Sequence, residues 1–271
     1  MKYKLTYYVI LLMLISCGNS EEIIQEQPES YDPITADARN LIWSDEFDTD
    51  GSPSSKNWTY DIGNGNNGWG NGERQFYTRA NASLTHGVLK VTAKKETYQG
   101  FKYTSARLKT QNKFSFTYGS IEVRAKLPSG GGTWPAIWML GDNITSAGWP
   151  SCGEIDIMEH TGNNQGVTSS AIHNASGYGD TPYVHHLERV SDVSTNFHVY
   201  GLEWTQDKID FIIDGVVHYT YNPINKTNAN WPFNKPQFII LNVAMGGALG
   251  GTISGDFTES AMEIDYVRVY Q

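Results

Sequence analysis

A chain of 271 residues with 39% hydrophobic content has room for one large core and suits a single folded domain better than two small ones. Its formal charge of −9 excludes nucleic acid and anionic polymers as obvious partners and fits a neutral ligand. With 16 Tyr, 8 Trp, 10 Phe and 27 Gly, and few helix-forming stretches, the composition points to strands, tight turns and exposed aromatic surfaces.

At the start of the chain, Lys2 and Lys4 precede the apolar run Tyr7 to Ile15, which is too short to span a bilayer but has the length of a signal-peptide core. Leu14-Ile15-Ser16-Cys17 resembles the lipobox of bacterial lipoproteins, which implies cleavage before Cys17 and acylation of its thiol. Residues 1–17 are therefore expected to be a lipoprotein signal peptide. Residues 18–40, acidic at Glu21, Glu22, Glu26 and Glu29 and broken by Pro28 and Pro33, read as a flexible tether before a folded domain at 41–271. The expected location is the bacterial cell envelope, anchored to the membrane through Cys17; the acidic tether resembles an export signal to the outer surface of the outer membrane. With Cys17 lipidated, Cys152 has no disulfide partner and reads as a small packing residue.

Beyond the tether the pattern is that of short strands. Leu41 to Asp48 opens the domain. Gly63, Gly65 and Gly68 formally match G-x-G-x-x-G, but no strand–helix–strand unit follows and the loop is rich in Asn and Trp, so a dinucleotide site is rejected. Alternation marks strands over Val88 to Lys94 and Gly119 to Leu127, where Ile121, Val123, Ala125 and Leu127 share one face. In Thr133-Trp134-Pro135-Ala136-Ile137-Trp138, the two Trp residues lie four apart and so project from the same strand face, as sugar-stacking platforms or as core. His185 and His186 are adjacent and would face opposite sides of any strand; they are assigned to a loop without metal. Asp214-Gly215 within Lys208 to Tyr221 marks a two-residue hairpin. The nearly continuous apolar run Gln237 to Ala244 fits a strand buried on both faces, and Met262 to Tyr270 closes the chain. Together these strands imply an all-β sandwich.

The chemistry concentrates in Gly153-Glu154-Ile155-Asp156-Ile157-Met158-Glu159-His160. On a strand, Glu154 and Asp156 share a face opposite Ile155 and Ile157, and Glu159 breaks the parity. A bulge at Met158 would bring Glu159 back to the acidic face. Carboxylates about 7 Å apart repel by about 2.4 kcal/mol at an effective dielectric near 20, nearly two pKa units, so at least one should hold a proton near neutrality. A protonated acid beside an ionised one is what cleavage of a glycosidic bond requires. Glu154 and Glu159 would have Cα atoms roughly 13 Å apart, leaving about 5 to 6 Å between inward-leaning carboxyls, nearer the retaining than the inverting separation.

Glu154-Ile155-Asp156-Ile157-Met158-Glu159 resembles the E-x-D-x-x-E signature of glycoside hydrolase family 16, most closely in its laminarinase-like members. The resemblance implies a jelly roll of two antiparallel sheets with a concave substrate cleft. It makes Glu154 the nucleophile, Asp156 the tuning acid and Glu159 the acid/base, with no cofactor for catalysis. It places Trp134 and Trp138 beside the negative subsites, Asn81 and Arg107 as a hydroxyl-binding pair, and His173 in the cleft near the acid/base. It further implies a structural Ca2+ held by Glu46, a Gly87 carbonyl and Asp265. The expected activity is retaining endo-hydrolysis of β-1,3 bonds in laminarin-like glucans, extending to mixed β-1,3/1,4 glucans, by a monomer. Two alternatives stay open: a noncatalytic glucan-binding surface lipoprotein, and a family enzyme for agar, carrageenan or xyloglucan.

Overall fold

Alternating apolar residues become two stacked sheets in the computed structural model, which describes residues 39–179 and 184–271. The expected signal peptide, Cys17 and the tether up to residue 38 lie outside the described residues. All described residues belong to one unit, Tyr31–Gln271. The strands run β1 (Leu41–Asp45), β2 (Thr59–Asp61), β3 (Gln75–Tyr77), β4 (Ala82–Leu84), β5 (Leu89–Lys94), β6 (Tyr103–Ser105), β7 (Arg107–Lys109), β8 (Gly119–Lys126) and β9 (Thr133–Gly141). They continue as β10 (Glu154–His160), β11 (Val167–His173), β12 (Val184–Arg189), β13 (His198–Trp204), β14 (Ile209–Ile213), β15 (Val216–Tyr221), β16 (Gln237–Met245) and β17 (Glu259–Tyr270). One sheet has the order β12-β11-β10-β9-β16-β7-β2; the other runs β15-β14-β13-β8-β17-β5-β6-β3, with β1 on β17 and β4 on β5.

The pairings are antiparallel with one exception. β3 and β6 are parallel, a departure from the purely antiparallel expectation. The core between the sheets takes Ile121, Val123, Ala125 and Leu127 from β8 and its end, Ile155 and Ile157 from β10, and Ile239, Leu241 and Val243 from β16. β16 is buried along its whole length, because Phe238 and Ile240 pack on its other face with Leu140 and Cys152. Cys152 is thus a buried free thiol, pushed up to about 11 by burial and then by the Glu154 charge, as its packing role requires. Asp214 and Gly215 both have positive φ, 51° and 80°, and close the β14–β15 hairpin in the primed geometry that matches strand twist.

Two expectations need correction. Arg39 and Asn40, assigned to the tether, dock on the folded domain. Arg39 donates to Ser120 Oγ at 3.1 Å and to Glu122 Oε1 at 3.0 Å, while the Asn40 and Gln271 backbones exchange hydrogen bonds at 2.9 Å. His185 and His186 do face opposite sides, but as members of β12, paired with Ala171 and Ser170 of β11, and not in a loop.

Candidate active site

The site begins with the bulge. Against β9, Asp156 lies opposite Trp138, Met158 opposite Ile137 and Glu159 opposite Ala136, so β10 carries one extra residue. Against β11 the same slip separates Asp156, opposite Ala171, from Glu159, opposite Ser169. Ile157 and Met158 both enter the core, and Ser170 Oγ donates to Ile157 O at 2.8 Å. Glu159 is thereby returned to the face of Glu154 and Asp156. The three acids line a groove of about 1000 Å³ on the outer face of the seven-stranded sheet, with Trp69, Trp134, Trp138 and Trp149 among its walls.

Each outer acid has an indole donor. Trp149 Nε1 donates to Glu154 Oε2 at 2.8 Å, and Trp134 Nε1 donates to Glu159 Oε1 at 2.9 Å. Burial pushes Asp156 up to about 8. Burial first, and then the Asp156 charge, push Glu154 and Glu159 up to about 8 as well. Such neighbours share their protons as a set, so the groove enters neutral pH partly protonated. His173 stands opposite Glu154 in register, with Nε2 at 3.2 Å from Asp156 Oδ2 and 3.9 Å from Glu154 Oε1. The family resemblance places it near Glu159; instead it attends the other two acids, because β11 runs antiparallel to β10 and its end meets the start of that strand.

The raised pKa values have a stability consequence. The folded Glu154 lies near 8 against an ordinary value of 4.5, so between those values the folded state binds more protons than the unfolded one. Stability contributed by this group therefore falls as pH rises through that window. Glu154→Gln is expected to raise Tm by about 5 °C at pH 8, with the gain vanishing near pH 4.5, as thermal scans across pH would record. A Tm gain independent of pH would contradict the burial argument.

Arg107 is brought into the groove from β7. Its Nε lies 3.1 Å from Asp61 Oδ2, and its guanidinium sits 4.7 Å from the ring centres of both Trp69 and Trp138. A planar cation between two indoles holds both rings in place. Trp138 is fixed further by Nε1 donating to Asn242 Oδ1 at 2.7 Å. Asn242 Nδ2 in turn donates to Tyr77 Oη at 3.2 Å, and Tyr77 donates to the buried Glu73 at 3.1 Å. The glycines of the Gly63 to Gly72 loop serve this arrangement sterically: a Cβ at Gly65 would come within 2.6 Å of the Trp69 ring, and one at Gly68 within 2.3 Å of Glu73 N.

Asn81 is not brought to the groove. It is buried beneath β4, β5 and β6, its amide donating to Thr92 O and Thr104 Oγ1 at 2.9 Å each, and its Oδ1 accepting from Thr78 at 2.5 Å. Its hydrogen-bonding capacity is spent inside the fold, which overturns the hydroxyl-binding expectation. The calcium set does not fit either. Both Glu46 oxygens accept from Arg268 at 2.8 to 3.2 Å, and Asp265 Oδ2 lies 2.6 Å from Arg124 Nη1. The charges a Ca2+ would need are neutralised by guanidinium groups, and Gly87 adds only a carbonyl.

Trp69, Trp149, Glu73 and Asn242 escaped the sequence reading as site residues. A signal existed for Asn242, the lone polar residue within Phe238 to Met245. No comparable signal marked Trp149, which reaches Glu154 from an irregular segment.

A groove of carboxylates and indoles on one face of a jelly-roll sandwich is the architecture of a glycoside hydrolase. The chain belongs to the glycosyl hydrolases family 16, whose family profile matches residues 69–268. The beta-glucanase of Rhodothermus marinus is 45% identical over 250 residues, spanning 85% of each chain. The solved laminarinase of Flavobacterium sp. UMI-01 superimposes with a TM-score of 0.81 at 43% identity, covering 86% of this chain and 100% of that one. The X-ray structure of the laminarinase from Rhodothermus marinus gives a TM-score of 0.81 at 43% identity, over 86% of this chain and 97% of that one.

Proposed function

We propose that this glycoside hydrolase is a retaining endo-glucanase cutting β-1,3 bonds in laminarin-like glucans, with mixed β-1,3/1,4 glucans as a second substrate. The observation that carries this reading is the bulge, which puts Glu154 and Glu159 on one groove wall with a separate indole donor on each. The names of its relatives, beta-glucanase and laminarinase, support the substrate class.

In this reading the Glu154 carboxylate attacks the anomeric carbon while the Glu159 carboxylic acid gives its proton to the departing oxygen. A covalent glycosyl–enzyme ester forms and the reducing-end fragment leaves. Glu159, now ionised, takes a proton from water, whose oxygen displaces Glu154 and restores the starting configuration. Asp156, between them, adjusts both by its charge, and His173 Nε2 stands 3.2 Å from its Oδ2. Trp138 and Trp134 offer flat apolar faces to sugar rings, and Arg107 keeps Trp138 in place. The chemistry needs no cofactor.

Proton NMR of laminarin digestion tests the reading through the earliest new reducing ends. The β-anomer is the expected product; the α-anomer would overturn Glu154 as nucleophile. Binding without cleavage would favour the glucan-binding alternative. The proposal extends to residues 1–38 as a lipoprotein leader and tether acylated at Cys17. Cys17→Ser should then move the protein from the membrane pellet to the soluble fraction, and an unchanged pellet would refute the anchor.

A further inference from the structure

Away from the groove, three metal-binding side chains meet where the two sheets come edge to edge. His186 and Glu188 alternate along β12, the edge strand of the seven-stranded sheet, and pair with Ser170 and Thr168 of β11. Ser170 and Thr168 are both buried, so His186 and Glu188 share the side turned toward the opposite sheet. His218 comes from β15, the edge strand of the ten-stranded sheet. There β15 has a bulge: Tyr219 pairs with Phe211 and Val217 with Ile212, leaving His218 as the extra residue. Bulges re-aim side chains, and this one turns the imidazole toward β12.

One ligand atom from each of His186, Glu188 and His218 lies within 4.8 Å of the others. His186 Nε2 is 3.8 Å from Glu188 Oε2, and the two imidazole centres are 5.4 Å apart. The surroundings hold the rings in place. His186 stacks on Tyr219 at 5.5 Å with 7° between planes, and Ser170 Oγ stands 3.4 Å from His218 Nε2. His218 Nδ1 is buried and has no hydrogen-bond partner among the described residues, an orphaned nitrogen that a metal or its water would satisfy.

We propose that His186, Glu188 and His218 form a binding site for a divalent transition metal, with Zn2+ as the best fit. Two imidazoles and one carboxylate are a zinc donor set, and water completes the tetrahedron. Oxygen-seeking Ca2+ and Mg2+ are disfavoured by the two nitrogens. Because the ligands come from the edge strands of both sheets, the ion acts as a staple across the open side of the sandwich. Its role is structural and independent of the glucanase reading.

The test uses the untagged protein after chelator treatment, titrated with ZnCl2 by calorimetry and followed by thermal scans. Expected are one equivalent bound with Kd on the order of 1 to 10 µM and a zinc-dependent rise in Tm. His218→Gln and Glu188→Gln should each weaken binding at least about tenfold, abolish the Tm rise and leave laminarin hydrolysis in chelator unchanged. Glu154, Asp156 and His173 also bring ligand atoms within 4.8 Å of one another, so His173→Ala serves as the control and should retain the high-affinity equivalent. Cobalt gives an independent readout, a tetrahedral d–d absorption in the wild type that Glu188→Gln loses, which decides the matter even if His218→Gln fails to fold. The proposal is overturned by no binding at millimolar zinc, or by binding that survives Glu188→Gln and disappears in His173→Ala.

Discussion

Glu154→Gln is expected to reduce laminarin turnover by on the order of 10⁴-fold or more, the scale on which hydrolases lose rate when their nucleophile is removed. The substitution keeps the side chain's shape and an oxygen to accept from Trp149 Nε1 while replacing the nucleophilic carboxylate with a neutral amide. Substrate affinity should change little, because the platform residues are untouched. Single-turnover kinetics would show no covalent intermediate, whereas the wild type should accumulate one with a slow-departing fluoroglycoside. A variant retaining a tenth of wild-type turnover would remove Glu154 from the mechanism.

Glu159→Gln should cost about 10² to 10⁴-fold on laminarin, whose leaving oxygen needs a proton, and far less on an aryl glycoside whose leaving group departs as an anion. That contrast separates a general acid from a residue that merely supports the groove. Small anions such as azide should restore turnover on the activated substrate, because an anion needs no general base to attack the ester intermediate. The pH profile carries the same information. Burial and the Asp156 charge push Glu154 and Glu159 alike up to about 8, and the reaction needs the first ionised and the second protonated, so the wild-type rate should peak near that value and fall on its alkaline side as Glu159 loses its proton. Glu159→Gln should lose this alkaline limb on the aryl substrate.

Much of the fold was legible because burial imposes period two on each strand. The apolar faces of β5 and β8 could be read from alternation, β16 from its unbroken apolar run, and the β14–β15 turn from Asp214-Gly215. The acidic site was legible for the same reason: only an inserted residue reconciles Glu159 with the parity of Glu154 and Asp156. His186 was misread because a histidine pair carries no strand signal of its own; its strand exists through pairing with β11. Asn81 was misplaced because an amide beside a turn looks the same whether it meets solvent, sugar or buried backbone, and here it meets Thr92 and Thr104.

By itself the sequence determined the all-β class, the three acids and their common strand, and the paired Trp134 and Trp138. These follow from local chemistry: side-chain polarity against strand period, and residue type against turn geometry. Only the tertiary structure decided which indole meets which acid, that Arg107 lies between Trp69 and Trp138, that Glu46 and Asp265 are taken by arginines, and that His218 faces His186 and Glu188. The last contact joins residues 30 to 32 positions apart, and the Arg268 to Glu46 pair spans 222. Such meetings are set by how whole strands stack and slip in register, which depends on the sum of core contacts and leaves no mark at the residues that meet.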